Sequence, residues 1–185
     1  MKNKILIVDG YCATGKSIFS NKLSKYLNVP CFNKDVIKEV LGDGFGTKHN
    51  IVLEKGSSAA FLLMLYIAEK TLQANNICIL ESNFKQQEIE QIKLLLEKYN
   101  CDCLTYIFKG DFKVLFKRYM ERDISEKRHW VHDTTGEDLE NFEGGHKYFK
   151  IGEMGIGKII SIDSTNFEIV DYDELFNSAN TFINN

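Results

Sequence analysis

Gly10-Tyr11-Cys12-Ala13-Thr14-Gly15-Lys16-Ser17 sets two glycines around four variable positions and closes on a Lys-Ser pair. This spacing has a use only between a strand and a helix, where successive backbone N–H groups turn inward and the helix N-terminus faces the same point. Both flanks are present. Lys4 to Asp9 is a short run of β-formers with the continuous apolar character of a strand buried on both faces. From Gly15 to Leu27 the positions Phe19, Leu23, Tyr26 and Leu27 fall at helical spacing, and Asn28 with Pro30 stops the helix. By residue frequencies the motif arises by chance in on the order of one chain in 150 of this length, and the correct flanks make an accident rarer still. The segment reads as a phosphate-binding loop. Its expected nucleotide contacts are Gly10, Tyr11, Cys12, Ala13, Thr14, Gly15, Lys16, Ser17 and Ile18. Lys16 is expected between the β- and γ-phosphates and Ser17 on Mg²⁺, so the loop implies ATP and Mg²⁺.

The rest of the chain keeps alternating. Cys31 to Asn33 is a short strand, Asp35 is placed to cap the helix after it, and a Gly-rich loop from Gly42 to Gly46 closes that helix. A long helix is expected over Ser57 to Gln73, a third buried strand over Ile77 to Leu80, and an amphipathic helix through Ile89, Ile92, Leu95, Leu96 and Tyr99. Leu104 to Phe108 is a fourth strand, followed by a helix from Asp111 to about Asp123. The pattern then breaks into a polar stretch from Ile124 to Lys147. Ile159 to Ile162 is the last core strand, and Asp171 to Ile183 the last helix. Parallel neighbours need crossover connections, so this alternation predicts an α/β fold of three layers, a mostly parallel sheet with helices on both faces, in one domain over residues 1–185. A second glycine cluster, Gly152 to Lys158, precedes a strand and lacks a Ser or Thr after its lysine, so it is expected to be a flexible loop. Asn33-Lys34-Asp35 lacks the intervening residue of a guanine-specificity motif, so GTP selectivity is not supported.

Charge and composition remove other classes. A formal net charge of −3 provides no excess of cations for the phosphates of a duplex. Five cysteines without a Cys-x-x-Cys pair predict reduced thiols, with neither a disulfide framework nor a zinc site. The opening apolar run is too short for a signal peptide. The longest apolar stretch, Ala59 to Ala68, falls well short of the roughly 20 residues that cross a bilayer. A cytoplasmic protein without a membrane role is expected.

Further candidates follow from position. Glu81 closes a buried strand at its carboxyl end, where parallel α/β sheets place ligands; holding a Mg²⁺ water and contacting the acceptor both suit it. Arg118 and Arg122 are four residues apart and share a helix face opposite the apolar stripe. His129, Trp130 and His132 are not expected to be catalytic.

Together the loop, the segments Phe32 to Glu39 and Ile79 to Phe84, the Arg-rich stretch after strand four, and Ile162-Asp163-Ser164-Thr165 give the chain a family likeness. It resembles the small P-loop kinases related to adenylate and shikimate kinases, especially the AAA-domain group of polynucleotide 5′-hydroxyl kinases, chloramphenicol phosphotransferases and zeta-toxin-like kinases. The resemblance implies a P-loop NTPase domain with a five-stranded parallel sheet in the order 2-3-1-4-5. It implies that Asp35 orients or deprotonates the acceptor hydroxyl, as a carboxylate can at neutral pH. It also implies a lid over about residues 124–147, with Arg118, Arg122, Lys127 and Arg128 closing on ATP, and an adenine-facing loop over Asp163 to Asn166. The expected activity is ATP-dependent transfer of the γ-phosphoryl group to a hydroxyl of a small-molecule acceptor. Two alternatives stay open: a polynucleotide or nucleoside 5′-hydroxyl kinase, disfavoured by the mild acidity, and a regulatory P-loop ATPase without a phosphoacceptor. Monomer and homodimer are both compatible with the sequence.

Overall fold

β1 (Lys4–Gly10) is enclosed along its whole length, and Ile5, Leu6, Ile7 and Val8 have no exposed surface. It lies in the middle of a five-stranded sheet in which every pairing is parallel. Its neighbours are β3 (Cys78–Glu81) and β4 (Asp102–Lys109), with Ile5 opposite Cys78 on one side and Cys103 on the other. β2 (Cys31–Asn33) and β5 (Lys158–Asp163) are the edges, which gives the order 2-3-1-4-5 that the resemblance implied. The computed structural model describes residues 3–46, 50–125, 128–132 and 137–185.

Side chains along β1 alternate between faces, so the sheet carries a core on each side. On one face Ile5 and Ile7 share a cluster with Phe61, Met64, Ala68 and Leu72 of α3 (Asn50–Gln73) and with Ile89, Ile92 and Leu96 of α4 (Gln86–Lys98). On the other, Leu6 and Val8 share one with Phe19 and Leu23 of α1 (Lys16–Leu27) and with Leu175 and Ala179 of α7 (Tyr172–Asn184). Tyr106 on β4 is fully buried in this second cluster, and its hydroxyl donates to the Leu175 carbonyl at 2.9 Å with Ser178 Oγ 2.7 Å away. Tyr106→Phe keeps the ring and removes the hydroxyl's bonds to Leu175 and Ser178, while Ser178 Oγ still donates to the Leu175 carbonyl at 2.8 Å. The expected cost is about 1 kcal/mol, read as a melting point lower by roughly 2–4 °C.

Several elements depart from the sequence reading. α2 (Lys34–Phe45) runs through Gly42 and Gly44, where a loop was expected, and its cap is Asn33. Asn33 Oδ1 accepts from the N–H groups of Asp35 and Val36 at 2.8 and 3.0 Å, so Asp35 is released from the capping role and sits in the first turn. α3 begins at Asn50, ahead of the expected start at Ser57. At this length it is the one described helix long and apolar enough to cross a membrane by length and composition, yet its inner face belongs to the sheet core. α5 (Phe112–Ser125) matches expectation. A further helix, α6 (Leu139–Tyr148), rises inside the polar stretch. The Asp138 carboxylate caps it through the Asn141 N–H at 2.8 Å, and Phe142 and His146, one turn apart, supply its buried side. β5 is an edge strand with much of its surface exposed, in contrast to the core strand expected.

The second glycine cluster is packed. Ile151 is buried, Met154 and Ile156 lie against the first core cluster, and Thr105 Oγ1 donates to the Ile156 carbonyl at 2.7 Å. The expected flexible loop is therefore a strap held to β4.

Candidate active site

Gly10 leaves β1 with φ 131°, and a Cβ there would stand 1.9 Å from the Phe108 carbonyl oxygen. Only glycine lets the chain depart from the sheet at this point, and the Tyr11 N–H then donates to the same oxygen at 2.9 Å. Ala13 (φ 58°) and Gly15 (φ 81°) are both left-handed and bend the backbone into the first turn of α1. Lys16 is buried. Its ammonium donates to the Tyr11 carbonyl at 2.5 Å, and Thr14 Oγ1 donates to that oxygen at 2.7 Å. Ile18, expected as a nucleotide contact, turns its side chain outward, 66% exposed, which leaves only its backbone toward the loop.

The outer side of the loop leans on an aromatic group. Tyr11 stacks on Phe112 with centroids 4.7 Å apart and meets the His146 ring edge-on at 5.1 Å. His146 is 5% exposed, and its Nε2 lies 3.0 Å from the Cys12 backbone nitrogen. Nothing in the sequence marked this residue, because the helix that carries it reads as a polar loop interrupted by Gly144 and Gly145.

At the start of α1 the Ser17 hydroxyl, Asn33 and Glu81 come together. Asn33 Nδ2 donates to Ser17 Oγ at 3.3 Å and to Glu81 Oε2. Asn33 thus caps α2 with its oxygen and holds two candidate metal ligands with its nitrogen, a role the sequence reading missed. Glu81 is 3% exposed. Burial pushes its carboxyl up to about 7, with Lys16 and the Ser17 hydroxyl pulling down and the charges of Asp35 and Asp9 pushing up. Behind it, Asp9 is fully buried; its Oδ1 accepts from the Phe84 N–H at 2.9 Å, and its Oδ2 has no hydrogen-bond partner. Burial raises Asp9 to about 6 against the lowering by its backbone hydrogen bonds and by Lys16 and Lys34. Two buried carboxyls next to a hydroxyl, one with an orphaned oxygen, form a hard-oxygen set that a small divalent cation would relieve. No group of three His, Cys, Asp or Glu side chains that could hold a metal occurs among the described residues, so such a cation keeps other ligands.

These raised acids set a pH dependence. Between their ordinary values and about 6 to 7, both bind more proton in the fold than in the unfolded chain, so their contribution to stability is full at low pH and fades as pH rises through 6 and 7. Glu81→Gln is therefore expected to flatten the fall of the melting point between about pH 4 and 8. Mg²⁺ should raise the wild-type melting point more at pH 8 than at pH 5, because the cation needs the ionised acids. Equal Mg²⁺ shifts at the two pH values would remove Glu81 from the metal set.

Beside the loop opens a cavity of about 270 Å³ with Cys12, Asp35, Lys38, Asn83, Lys85 and His146 among its lining. Three larger hollows, about 690, 620 and 350 Å³, include none of the loop residues. Asp35 is exposed to the cavity side of α2, and its carboxylate has no hydrogen-bond partner among the described residues. The neighbouring Lys34 is buried and ion-paired to Glu88 at 2.9 Å, fixing the start of α2 against α4. Glu88 also accepts from the Lys85 N–H at 2.9 Å, so one carboxylate ties two walls together. Asn83 Nδ2 reaches Cys12 Sγ at 3.5 Å.

The three arginines part company. The Arg118 guanidinium donates to the Ser164 and Thr165 carbonyls, both at 2.7 Å, and lies 3.9 Å from the Phe167 ring centroid. That places it on the loop after β5, away from the side occupied by Asp35. Arg122 and Arg128 flank the Tyr119 ring at 5.6 and 5.2 Å, and both act electrostatically on the Cys12 thiol together with Lys16 and Asp35. Lys127 lies outside the described residues. Residues 128–132 rest on α2: His129 pairs with Asp43 at 3.0 Å, His132 with Glu39 at 2.9 Å, and Lys38 Nζ donates to the Val131 carbonyl at 2.7 Å. Burial holds the Lys38 ammonium below its ordinary value, partly offset by Asp35. The approach of this segment explains Gly42, whose Cβ would stand 2.6 Å from Val131 Cγ1.

No protein-family profile and no curated protein sequence matches the chain. Solved structures do resemble it. A Chloroflexus aurantiacus protein provisionally named a kinase superposes with a TM-score of 0.84 at 24% identity, over 98% of each chain. A sugar kinase from Janibacter sp. gives 0.61 at 10% identity, over 100% of this chain and 95% of its own. A shikimate kinase from Bacteroides thetaiotaomicron gives 0.57 at 13% identity, over 99% of each. These likenesses establish the fold, an α/β domain with five parallel strands in the order 2-3-1-4-5. The narrower grouping with polynucleotide kinases, chloramphenicol phosphotransferases and zeta-toxin-like kinases rests on the sequence motifs alone.

Proposed function

We propose that the chain is an ATP-dependent kinase that transfers the γ-phosphoryl group to a hydroxyl of a small molecule. The observation that carries this reading is that Cys12 of the Gly10–Ser17 loop and the exposed Asp35 line one cavity of about 270 Å³. The kinase names of the structural neighbours point the same way. ATP sits with its phosphates in the loop, and the acceptor occupies the cavity. Asp35 takes the proton of the acceptor hydroxyl as that oxygen bonds to the γ-phosphorus, the bond to the β–γ bridging oxygen breaks, and ADP leaves with that oxygen. Lys16 leaves the Tyr11 carbonyl for the phosphates and neutralises charge building on the transferred group. Arg122 and Arg128 add positive charge from the lid side. Arg118, bonded to Ser164 and Thr165, instead organises the loop that faces the adenine.

The fold type implies Mg²⁺, and the oxygen donors present fit it: Ser17 and Glu81 would hold it, with Asp9 behind. When bound, Mg²⁺ supplies charge neutralisation at the β- and γ-phosphates. Asn33 keeps Ser17 and Glu81 oriented.

The test is transfer of labelled γ-phosphate from Mg-ATP to a panel of sugars, hydroxy acids, amino alcohols, nucleosides, 5′-hydroxyl oligonucleotides and aminoglycoside or chloramphenicol-type antibiotics. A labelled small molecule, lost in Asp35→Asn, is the expected result. Label on the oligonucleotide would move the chain to the nucleic-acid reading. Free phosphate alone, unchanged by Asp35→Asn, would make it a regulatory ATPase.

A further inference from the structure

The loop holds a backbone contact that the phosphate-binding motif does not require. Cys12 N–H points at His146 Nε2, 3.0 Å away, while His146 Nδ1 lies 2.6 Å from the Phe142 carbonyl of its own helix. The backbone nitrogen can only donate and the carbonyl can only accept, so the ring is fixed as the neutral tautomer with its proton on Nδ1 and its lone pair on Nε2. We propose that His146 is a positioning residue that sets the shape of the phosphate-binding loop by accepting the Cys12 N–H, so that nucleotide affinity depends on its remaining neutral. The inference rests on the nucleotide reading of this loop.

Protonation would place an N–H opposite an N–H, turning an attraction into a repulsion. Burial holds the His146 imidazole below its ordinary value, and nearby Lys16 pushes it the same way, while the Phe142 carbonyl acts in the opposite sense. The other titratable neighbours on the loop are the Tyr11 phenol, edge-on to the ring, and the Cys12 thiol. Across the cavity the lining carries the side chains of Lys34, Lys38, Lys85, Asp35 and Glu137, while Lys16 is the charge that acts on the ring. From α5 the contact is the apolar ring of Phe112, 5.7 Å away. Because the folded value is depressed, the fold loses this contribution as pH falls below the ordinary histidine value of about 6.5. His146 also lines the acceptor cavity, so the same ring joins the two halves of the site.

Two variants separate positioning from packing. His146→Gln retains an acceptor near the Nε2 position, and His146→Phe retains the aromatic ring but no acceptor. Mg-ADP affinity is measured by calorimetry from pH 5 to 8, with the Cys12 amide followed by ¹⁵N NMR on the same samples. His146→Gln is expected within about threefold of wild type at pH 8, and His146→Phe about tenfold weaker, the size of one lost hydrogen bond. The wild-type affinity and the Cys12 amide shift should fall together along the His146 titration, and neither should do so in His146→Gln. Wild-type affinity in His146→Phe, or a Cys12 amide indifferent to the His146 titration, overturns the proposal. If wild type binds no Mg-ADP at any pH, the nucleotide reading fails. The amide titration then still decides whether His146 holds the loop.

Discussion

Lys16→Ala is expected to lower phosphoryl transfer by roughly 10³-fold, the scale on which a preorganised cation or donor at a developing charge acts. Single-turnover transfer from labelled Mg-ATP is the measurement. The fold should survive, because the Tyr11 carbonyl that receives the Lys16 ammonium at 2.5 Å also receives Thr14 Oγ1 at 2.7 Å and is not stranded by the loss. A melting point near that of wild type with activity gone is therefore the signature. Turnover close to wild type would remove the loop from the chemistry and with it the kinase reading.

Asp35→Asn is expected to reduce turnover by about 10²- to 10⁴-fold, the usual worth of a general base. It should leave both stability and Mg-ATP affinity nearly untouched. That separation is a consequence of the capping geometry. Had Asp35 been the N-cap, its replacement would disturb the start of α2, but Asn33 accepts the Asp35 and Val36 N–H groups and Lys34 is anchored by Glu88. The Asp35 carboxylate carries none of that work and is left to the cavity. A loss of transfer that tracks a loss of melting temperature would instead make Asp35 a structural residue.

The strands were legible because each is a short apolar run bounded by turn residues, and observed boundaries lie within two residues of those expected. Their order was not in the residues themselves and came from the family likeness. The helices failed where glycine is used for close approach instead of for a turn. Gly42 lies inside α2 because Val131 packs there, and Gly56 lies inside α3 against the stem of Lys38. α6 was invisible because its buried side is carried mainly by Phe142 and His146, too few residues to show a period. In the site, the loop and Glu81 became candidates from motif and strand-end position and Asp35 from the family likeness, and the cavity beside the loop is lined by Cys12 and Asp35. Asn33, Asp9 and His146 were not, since each acts through a contact with a residue far along the chain. The pairing of Arg118 with Arg122 by helical spacing held along α5, but the reach of the two side chains separated their targets.

The place of β1 bears on how the chain is made. It precedes every other strand in the sequence, yet both of its sheet partners come much later, with Ile5 pairing to Cys78 and to Cys103. A ribosome would deliver this strand, whose Ile5, Leu6, Ile7 and Val8 are fully buried in the fold, long before either neighbour exists, and loop closure over such separations is slow. The nascent chain thus holds an unsatisfied β edge until β4 emerges, which makes this stretch the natural client segment for a chaperone and the place where aggregation during expression would begin.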